Sequence, residues 1–393
     1  MFVINSILDN DLYSFTMQQA ILNLYPNVEV EYQFTDRDPS GKMDKAFLRA
    51  LENEIWNMKN LSLTSEEVEF LHQYDFLSKE YIEYLRNYRF EPLRVCCDIT
   101  NSQFNLKING PWVETVLWEV PLLAMISELY FRRNSDNWTD ESKIKQHTRF
   151  QTLQKGEGLK NLRVTDFGTR RRRSYEVHKE VVGALKNFSN FQGTSNVHLA
   201  HKFGLRAVGT MSHQWIMGVS AMEGLNRANW HALTKWNEVY KGRLGIALTD
   251  TFGTECFWKD FDAQLSRLYD GVRHDSGDPY KFTDGAIAHY KKMGIYLPGK
   301  TIVFSDGLNV EACLQLSKYI QQKPPEEQIS ASFGIGTHLT NDFPGSSALK
   351  IVIKLRKCNG REVIKFSDDR GKITGDRDAI RVANYIIFNK PLD

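Results

Sequence analysis

Apolar and polar positions change their period several times along this chain, and each change marks an element. Over residues 9–24, Leu12, Phe15 and Leu22, with Thr16 and Gln19 between them, follow helical spacing until Pro26 stops the pattern. Residues 28–34 then alternate strictly, Val28, Val30, Tyr32 and Phe34 against Glu29, Glu31 and Gln33, which reads as a half-buried strand. Helices are predicted over residues 44–59 and 65–73, the second opened by a Ser-Glu-Glu cap signal. Residues 90–112 read as strands joined by a turn at Asn109-Gly110, a dipeptide that favours tight hairpins. A long amphipathic helix is predicted over residues 114–132. Strands gathered ahead of any repeat suggest a separate α+β domain.

From residue 164 to 337 the pattern repeats: a short apolar run ends in Gly, Asp, Ser or Thr, and a helical stretch follows. Residues 205–208 run into Gly209-Thr210-Met211-Ser212-His213, and residues 246–248 into Thr249-Asp250. Gly271-Val272 leads into Arg273-His274-Asp275-Ser276-Gly277, and residues 301–304 into Ser305-Asp306-Gly307. Ser332-Phe333 leads into Gly334-Ile335-Gly336-Thr337. Strands alternating with helices at roughly 30-residue spacing predict an α/β fold with a parallel sheet, a closed or nearly closed barrel. In such barrels the loops after the strands build the site, so His213 occupies a chemically privileged position. The predicted domains are an α+β domain over residues 1–130, a barrel over 131–344, and a tail over 345–393 that returns to the first domain. The tail carries a strand at 348–355, a short hairpin and a last helix.

Composition narrows the function by exclusion. With 50 Lys and Arg against 48 Asp and Glu, the molecule has no strong overall field for nucleic acid or membrane. Recognition of an anion therefore depends on local Arg, Lys and backbone amides. The five cysteines are scattered and lack CxxC spacing, which argues for a reducing cytoplasm and against a disulfide scaffold or zinc site. Residues 1–10 lack the basic start and apolar core of a signal peptide, and no run is long and apolar enough to span a bilayer. A soluble cytoplasmic protein is expected.

The strand ends hold the candidate chemistry. Ser305-Asp306-Gly307 and Phe333-Gly334-Ile335-Gly336-Thr337 offer glycine-freed amides ahead of helices, a phosphate cradle or simply two short βα turns. In Val272-Arg273-His274-Asp275-Ser276-Gly277-Asp278, the arginine can pair with an anion through bonds worth about 1.5–3 kcal/mol each, and the carboxylates can accept ribose hydroxyls or approach Mg²⁺. The alternative is a structural ion pair of Arg273 with a neighbouring carboxylate. Asp166-Phe167-Gly168-Thr169-Arg170 offers an aromatic face and a cation. Arg172 and Arg173 read as a solvated helix face. Asp250 can hold one nitrogen of His213 and leave the other free as a nucleophile. His198 and His201 lack a third ligand and read as structural, so no protein metal site is expected.

Taken in order, these motifs resemble the nicotinate phosphoribosyltransferase family of type II phosphoribosyltransferases. The resemblance runs from Asn10-Asp11-Leu12-Tyr13-Ser14-Phe15-Thr16-Met17 through DFGTRR, GTSNVHLA, GTMSH, VRHDSGDP, SDGLN and FGIGT. Ser212 stands where an alanine is more usual. The resemblance implies an incomplete, irregular α/β barrel joined to the α+β domain, and a homodimer with shared sites. It implies transfer of phosphoribose from phosphoribosyl pyrophosphate to the ring nitrogen of nicotinate, with Mg²⁺ on the pyrophosphate and ATP as co-substrate. ATP coupling would pass through a phosphohistidine at His213. Tyr13, delivered by a partner subunit, and Phe167 would sandwich the pyridine, with Gly168, Arg170 and Thr210 close to the base. Arg273 and Asp275 would hold the phosphoribosyl or pyrophosphate side, and Asp306, Gly307, Gly334, Gly336 and Thr337 the ribose and 5′-phosphate. The related nicotinamide enzymes carry an aspartate where this chain has Ser195. A carboxylate about 4 Å from that of nicotinate costs on the order of 4 kcal/mol at an effective dielectric near 20, roughly a thousandfold, so Ser195 favours nicotinate. Nicotinamide or quinolinate transfer, or a non-catalytic nucleotide-binding barrel, are the competing readings.

Overall fold

The computed structural model describes residues 2–38, 43–101, 103–134, 139–155 and 162–389. The chain forms two compact units that interleave along the sequence. The first comprises Met1–Gly156, Val164–Gly209 and Ile335–Lys354; the second comprises Glu157–Arg163, Thr210–Gly334 and Leu355–Asp393.

In the first unit, a nearly all-buried helix, Leu12–Leu24, precedes β1 (Glu29–Asp36), whose buried Val30, Tyr32 and Phe34 are the alternating residues read from the pattern. β1 pairs antiparallel with β3 (Gln103–Pro111), which pairs with β2 (Val95–Thr100). Helix Lys45–Asn57 packs Phe47 on Phe104 of β3, ring centroids 5.6 Å apart, and is capped by Asp44, whose carboxylate accepts from Ala46 N and Phe47 N. Helix Ser65–Leu71 is capped one residue earlier than its sequence suggested: Thr64 and Glu67 close a capping box. Helix Lys79–Asn87 buries Tyr81, Ile82 and Leu85 along one face, a short apolar pattern that the sequence also carries, whereas helix Asp140–Lys155 has too many polar positions to show an apolar face.

The hairpin expectation fails at Asn109-Gly110. Both residues lie inside β3, with Gly110 opposite Val30, and the chain reverses after β2 at Asn101, which takes φ of 53°. A strong turn dipeptide is overruled here by pairing with β1 and by close packing: a Cβ on Gly110 would lie 2.8 Å from Arg94 Cδ. The predicted helix over 114–132 is broken into Trp112–Thr115, a 3-10 turn, and Glu119–Asn134, whose first thirteen residues are buried.

The first unit also holds β4 (Arg163–Asp166) and β5 (Phe191–Thr194), parallel, with Asp166 opposite Thr194. The strand expected at 205–208 shrinks to one bridge between Ala207 and Thr194, fixed by Thr194 N to Arg206 O and Val208 N to Thr194 O.

The second unit carries parallel strands β6 (Ile246–Leu248), β7 (Gly271–His274), β8 (Thr301–Phe304) and β9 (Ser330–Ile335), with helices Thr254–Asp260, Pro279–Lys292 and Val310–Gln321 among the connections. Arg273 lies opposite Leu248 and Val303, so the ends of these strands are in register and their following loops gather together. Phe304 and Phe333 stack at 5.6 Å across β8 and β9. β10 (Ile351–Cys358) turns tightly into β11 (Arg361–Glu362), and helix Arg377–Phe388 follows, as the tail pattern predicted. Within the second unit the parallel strands pair in the order β9-β8-β7-β6, which bears out the α/β class with a parallel sheet.

Candidate active site

At the end of β4, Asp166 ties two loops of the first unit together. Its carboxylate accepts from Gly168 N at 2.9 Å, Thr194 Oγ1 at 2.6 Å and His178 Nε2 at 2.7 Å, and its carbonyl accepts from Ser195 N at 2.8 Å. Phe167 is anchored through its amide to Ile335 O, and Gly168 O accepts from Thr340 Oγ1. Space at Gly168 is so tight that an added Cβ would lie 2.2 Å from Thr340 Cγ2. Gly168→Ala is expected to cost about 1–3 kcal/mol of stability through overpacking, read as a lowered denaturant midpoint with unchanged slope.

Next to this loop, Ser195 Oγ donates to Asp11 Oδ1 at 2.7 Å, and Leu12 N donates to Ser195 O. Burial raises the Asp11 carboxyl above its ordinary range, outweighing the Arg170 guanidinium and hydrogen bonds from Thr169 and Ser195. Arg170 sits 6.0 Å from the ring centre of Tyr13 in its own chain and 3.7 Å from Glu119. Ser195 thus already abuts one buried carboxylate, and an aspartate at position 195 would pack a second against it.

Arg172 and Arg173 correct the solvated-face reading, for both are buried in a loop ahead of helix Tyr175–Leu185. Arg172 grips Asp9 with both amino groups at 2.7 and 2.8 Å, and Asn196 Nδ2 donates to the same carboxylate. Burial would raise the Asp9 carboxyl, but Arg172 and Asn196 outweigh it and hold it low. Arg173 lies between the rings of Phe131 and Phe343, 4.1 Å from each centre. His198 bonds the Tyr175 hydroxyl at 3.0 Å, and His201 packs on Phe70.

In the second unit, His213 opens helix His213–Glu223 after the Gly209-Thr210-Met211-Ser212 loop, and its ring is held at both nitrogens. Nε2 meets Asp275 Oδ2 at 2.9 Å, and Nδ1 meets Thr251 Oγ1 at 3.0 Å. The partner expected from sequence, Asp250, stands at 3.6 Å from Nε2, so Asp275 takes the direct bond. Asp250 Oδ2 instead accepts from Ser276 Oγ at 2.6 Å, Lys365 Nζ at 3.1 Å and Ser367 Oγ at 3.2 Å. Burial first, then the Lys365 ammonium, lowers the His213 pKa from 6.5, outweighing the two carboxylates. Burial alone would raise the Asp275 carboxyl, but Arg273 and the bond with His213 hold it well below the usual range.

Arg273 realises its structural alternative: it lies 3.5 Å from Asp275 and donates to Met211 O at 3.1 Å, bracing the loop before His213. Asp278 caps helix Pro279–Lys292 through Tyr280 N and Lys281 N. Thr210 Oγ1 donates to Ile246 O at 3.2 Å. Ser305 Oγ donates to Asp275 Oδ1 at 2.6 Å, and Lys372 Nζ reaches Asp306 Oδ1 at 2.8 Å. Gly307 takes φ of 59° in the turn after β8, Gly334 is the penultimate residue of β9, and Gly336 precedes the four-residue helix Thr337–Thr340 that Thr337 opens.

Donor atoms of His213, Asp250 and Asp275 lie within 4.8 Å of one another. Lys365 and Arg273 already neutralise the two carboxylates, so the group is a self-compensated charge cluster and no metal is assigned to it. Sequence reasoning missed Thr251 and the tail residues Lys365, Ser367 and Lys372. Lys365 carried a usable signal: a lysine inside the apolar run Val363-Ile364-Lys365-Phe366 needs a buried anion.

This fold, an α/β unit of parallel strands with a separate antiparallel sheet, is shared with solved enzymes. Residues 162–389 match the model of the nicotinate phosphoribosyltransferase family, and residues 8–127 match that of its N-terminal domain. A nicotinate phosphoribosyltransferase of Methanosarcina acetivorans is 48% identical over 410 aligned positions, covering all of both chains. Nicotinate phosphoribosyltransferase 2 of Pseudomonas aeruginosa is 42% identical, covering 94% of this chain and 93% of the relative. The crystal structure of the Porphyromonas gingivalis enzyme superposes with a TM-score of 0.93 at 37% identity, covering 98% of this chain and all of that one. That of the Vibrio cholerae enzyme gives 0.93 at 36% identity, covering 100% and 95%. The chain belongs to the nicotinate phosphoribosyltransferase family. Among the described residues, no helix is long and apolar enough to cross a membrane.

Proposed function

We propose that this chain transfers the phosphoribosyl group of phosphoribosyl pyrophosphate to nicotinate and couples the transfer to ATP through His213. The observation that carries the coupling is the imidazole pinned between Asp275 and Thr251 at the start of a helix. Pyridine nitrogen is unprotonated near neutral pH, so transfer needs no strong general base. Its lone pair forms the new bond to C1′ of the ribose as the C1′–oxygen bond breaks and pyrophosphate leaves. The protein's task is orientation and stabilisation of developing charge. Phe167, with Tyr13, Gly168, Arg170 and Thr210, is assigned to the base. Asp306, Gly307, Gly334, Gly336 and Thr337 are assigned to the ribose and its 5′-phosphate. Arg273 and Asp275 act on the phosphate side, where they are already bound to one another. Mg²⁺ would arrive on the pyrophosphate oxygens, because both Asp275 and Asp306 are engaged by protein cations. A homodimer is proposed as the assembly; Tyr13 stands beside Arg170 of its own chain, so the partner's Tyr13 is not required to reach that guanidinium.

With Nε2–H donating to Asp275, the Nδ1 lone pair faces the Thr251 hydroxyl. That tautomer makes Nδ1 the nucleophile: Thr251 rotates away, Nδ1 bonds to the γ-phosphorus of ATP, and ADP departs. Water later hydrolyses the phosphohistidine and resets the site. Only unprotonated imidazole can do this. Because burial and the Lys365 ammonium lower its folded pKa from 6.5, the acid limb of the ATP-stimulated rate should have its midpoint below pH 6.5. A pH profile whose acid limb sits above 7 would contradict this. The function itself is tested by incubation with nicotinate, phosphoribosyl pyrophosphate and Mg²⁺, with and without ATP. Nicotinate mononucleotide and pyrophosphate are expected, faster with ATP. Preference for nicotinamide or quinolinate, or binding without turnover, would reject it.

A further inference from the structure

Lys365 lies in the tail, 115 residues from Asp250 in sequence, yet its ammonium rests 3.1 Å from Asp250 Oδ2 with both side chains almost fully buried. The turn that carries it is fastened at several points. Lys365 exchanges both backbone hydrogen bonds with Thr374, Phe366 N donates to Thr251 O at 2.8 Å, and Asp368 N donates to Ser276 Oγ at 3.2 Å. Ser367 holds φ of 68° to bring its hydroxyl to Asp250 and Ser276. Asp250 Oδ2 is thus saturated, while Oδ1 has no hydrogen-bond partner and faces His213 Nε2 at 3.6 Å.

The charges around the imidazole balance only if Lys365 is counted. Asp275 and Asp250 face Nε2, Thr251 faces Nδ1, Arg273 stands on Asp275, and Lys365 stands on Asp250. Two carboxylates against two cations leave the cluster neutral with neutral His213. Without Lys365 the cluster would carry one excess negative charge in a buried site, and the nearest basic group, His213, would take up a proton. We propose that Lys365 is a positioning residue that keeps Asp250 ionised and compensated, and so keeps His213 unprotonated and available as a nucleophile. This rests on the phosphohistidine reading for its purpose, but not for its measurement.

The test is an NMR titration of isotope-labelled histidines in the full-length protein, with His213 assigned through His213→Asn. The parent midpoint should lie below 6.5; in Lys365→Met the cluster should take up its proton about one pH unit higher or more, and Lys365→Arg should restore the parent midpoint. In parallel, the acid limb of ATP-stimulated turnover in Lys365→Met should move to higher pH together with the titration, by about tenfold in proton concentration. Lys365→Gln serves as the second neutral variant if Lys365→Met does not fold. A neutral variant that is folded and titrates with the parent midpoint overturns the proposal. A shifted titration without phosphohistidine would remove the coupling reading and leave the role of Lys365 standing; phosphohistidine with an unshifted titration would do the reverse.

Discussion

His213→Ala is expected to lose the whole ATP-stimulated increment, with product forming no faster with ATP than without it. On the proposed coupling the imidazole receives the phosphoryl, and among the described residues nothing within its hydrogen-bond reach replaces it: Thr251 is a hydroxyl without a base, and Asp250 and Asp275 are carboxylates tied to cations. Loss of a positioned nucleophile costs at least about a hundredfold in the step that it serves. Comparing initial rates at saturating nicotinate, with and without ATP, reads the effect directly. A His213→Ala enzyme that still responds to ATP would move the coupling to another residue.

Ser195→Asp is expected to lower kcat/KM for nicotinate by roughly a thousandfold, the order given by a carboxylate about 4 Å from that of the substrate. The structure sharpens the reason. Position 195 hydrogen-bonds Asp11 at 2.7 Å, so the new carboxylate would also face an existing one whose pKa burial already raises. One of the pair would then hold a proton near neutral pH, and a shared proton softens the penalty toward nicotinate. The loss should therefore deepen as pH rises from 6 to 9, with nicotinamide less affected than nicotinate. Steady-state comparison of the two pyridines across pH checks this, and equal losses for both would refute the charge argument.

The sequence showed the strands well, because each parallel strand is a short apolar run that ends in a small or charged residue. β6, β7, β8 and β9 fall where those runs stop. It misled where a local signal met a stronger distant one. Asn109-Gly110 loses its turn to pairing with β1, and the arginine pair at 172 and 173 reads as surface because Asp9, Phe131 and Phe343, which bury it, are far away in the chain. His213 was legible from its strand-end address. Its true partners were less so: Asp275 replaced Asp250 in the direct bond, and Lys365 reaches the cluster from the tail. Charge networks of this kind are closed by tertiary contacts, which no periodicity records.

The most direct measurement is mass spectrometry of the protein after brief exposure to ATP, with digestion under alkaline conditions that preserve phosphoramidate bonds. One acid-labile phosphoryl group on the peptide that contains His213, discharged when nicotinate and phosphoribosyl pyrophosphate are added, is the predicted result. Undiminished ATP stimulation with that peptide unmodified, or with the phosphoryl group on another residue, would contradict the account.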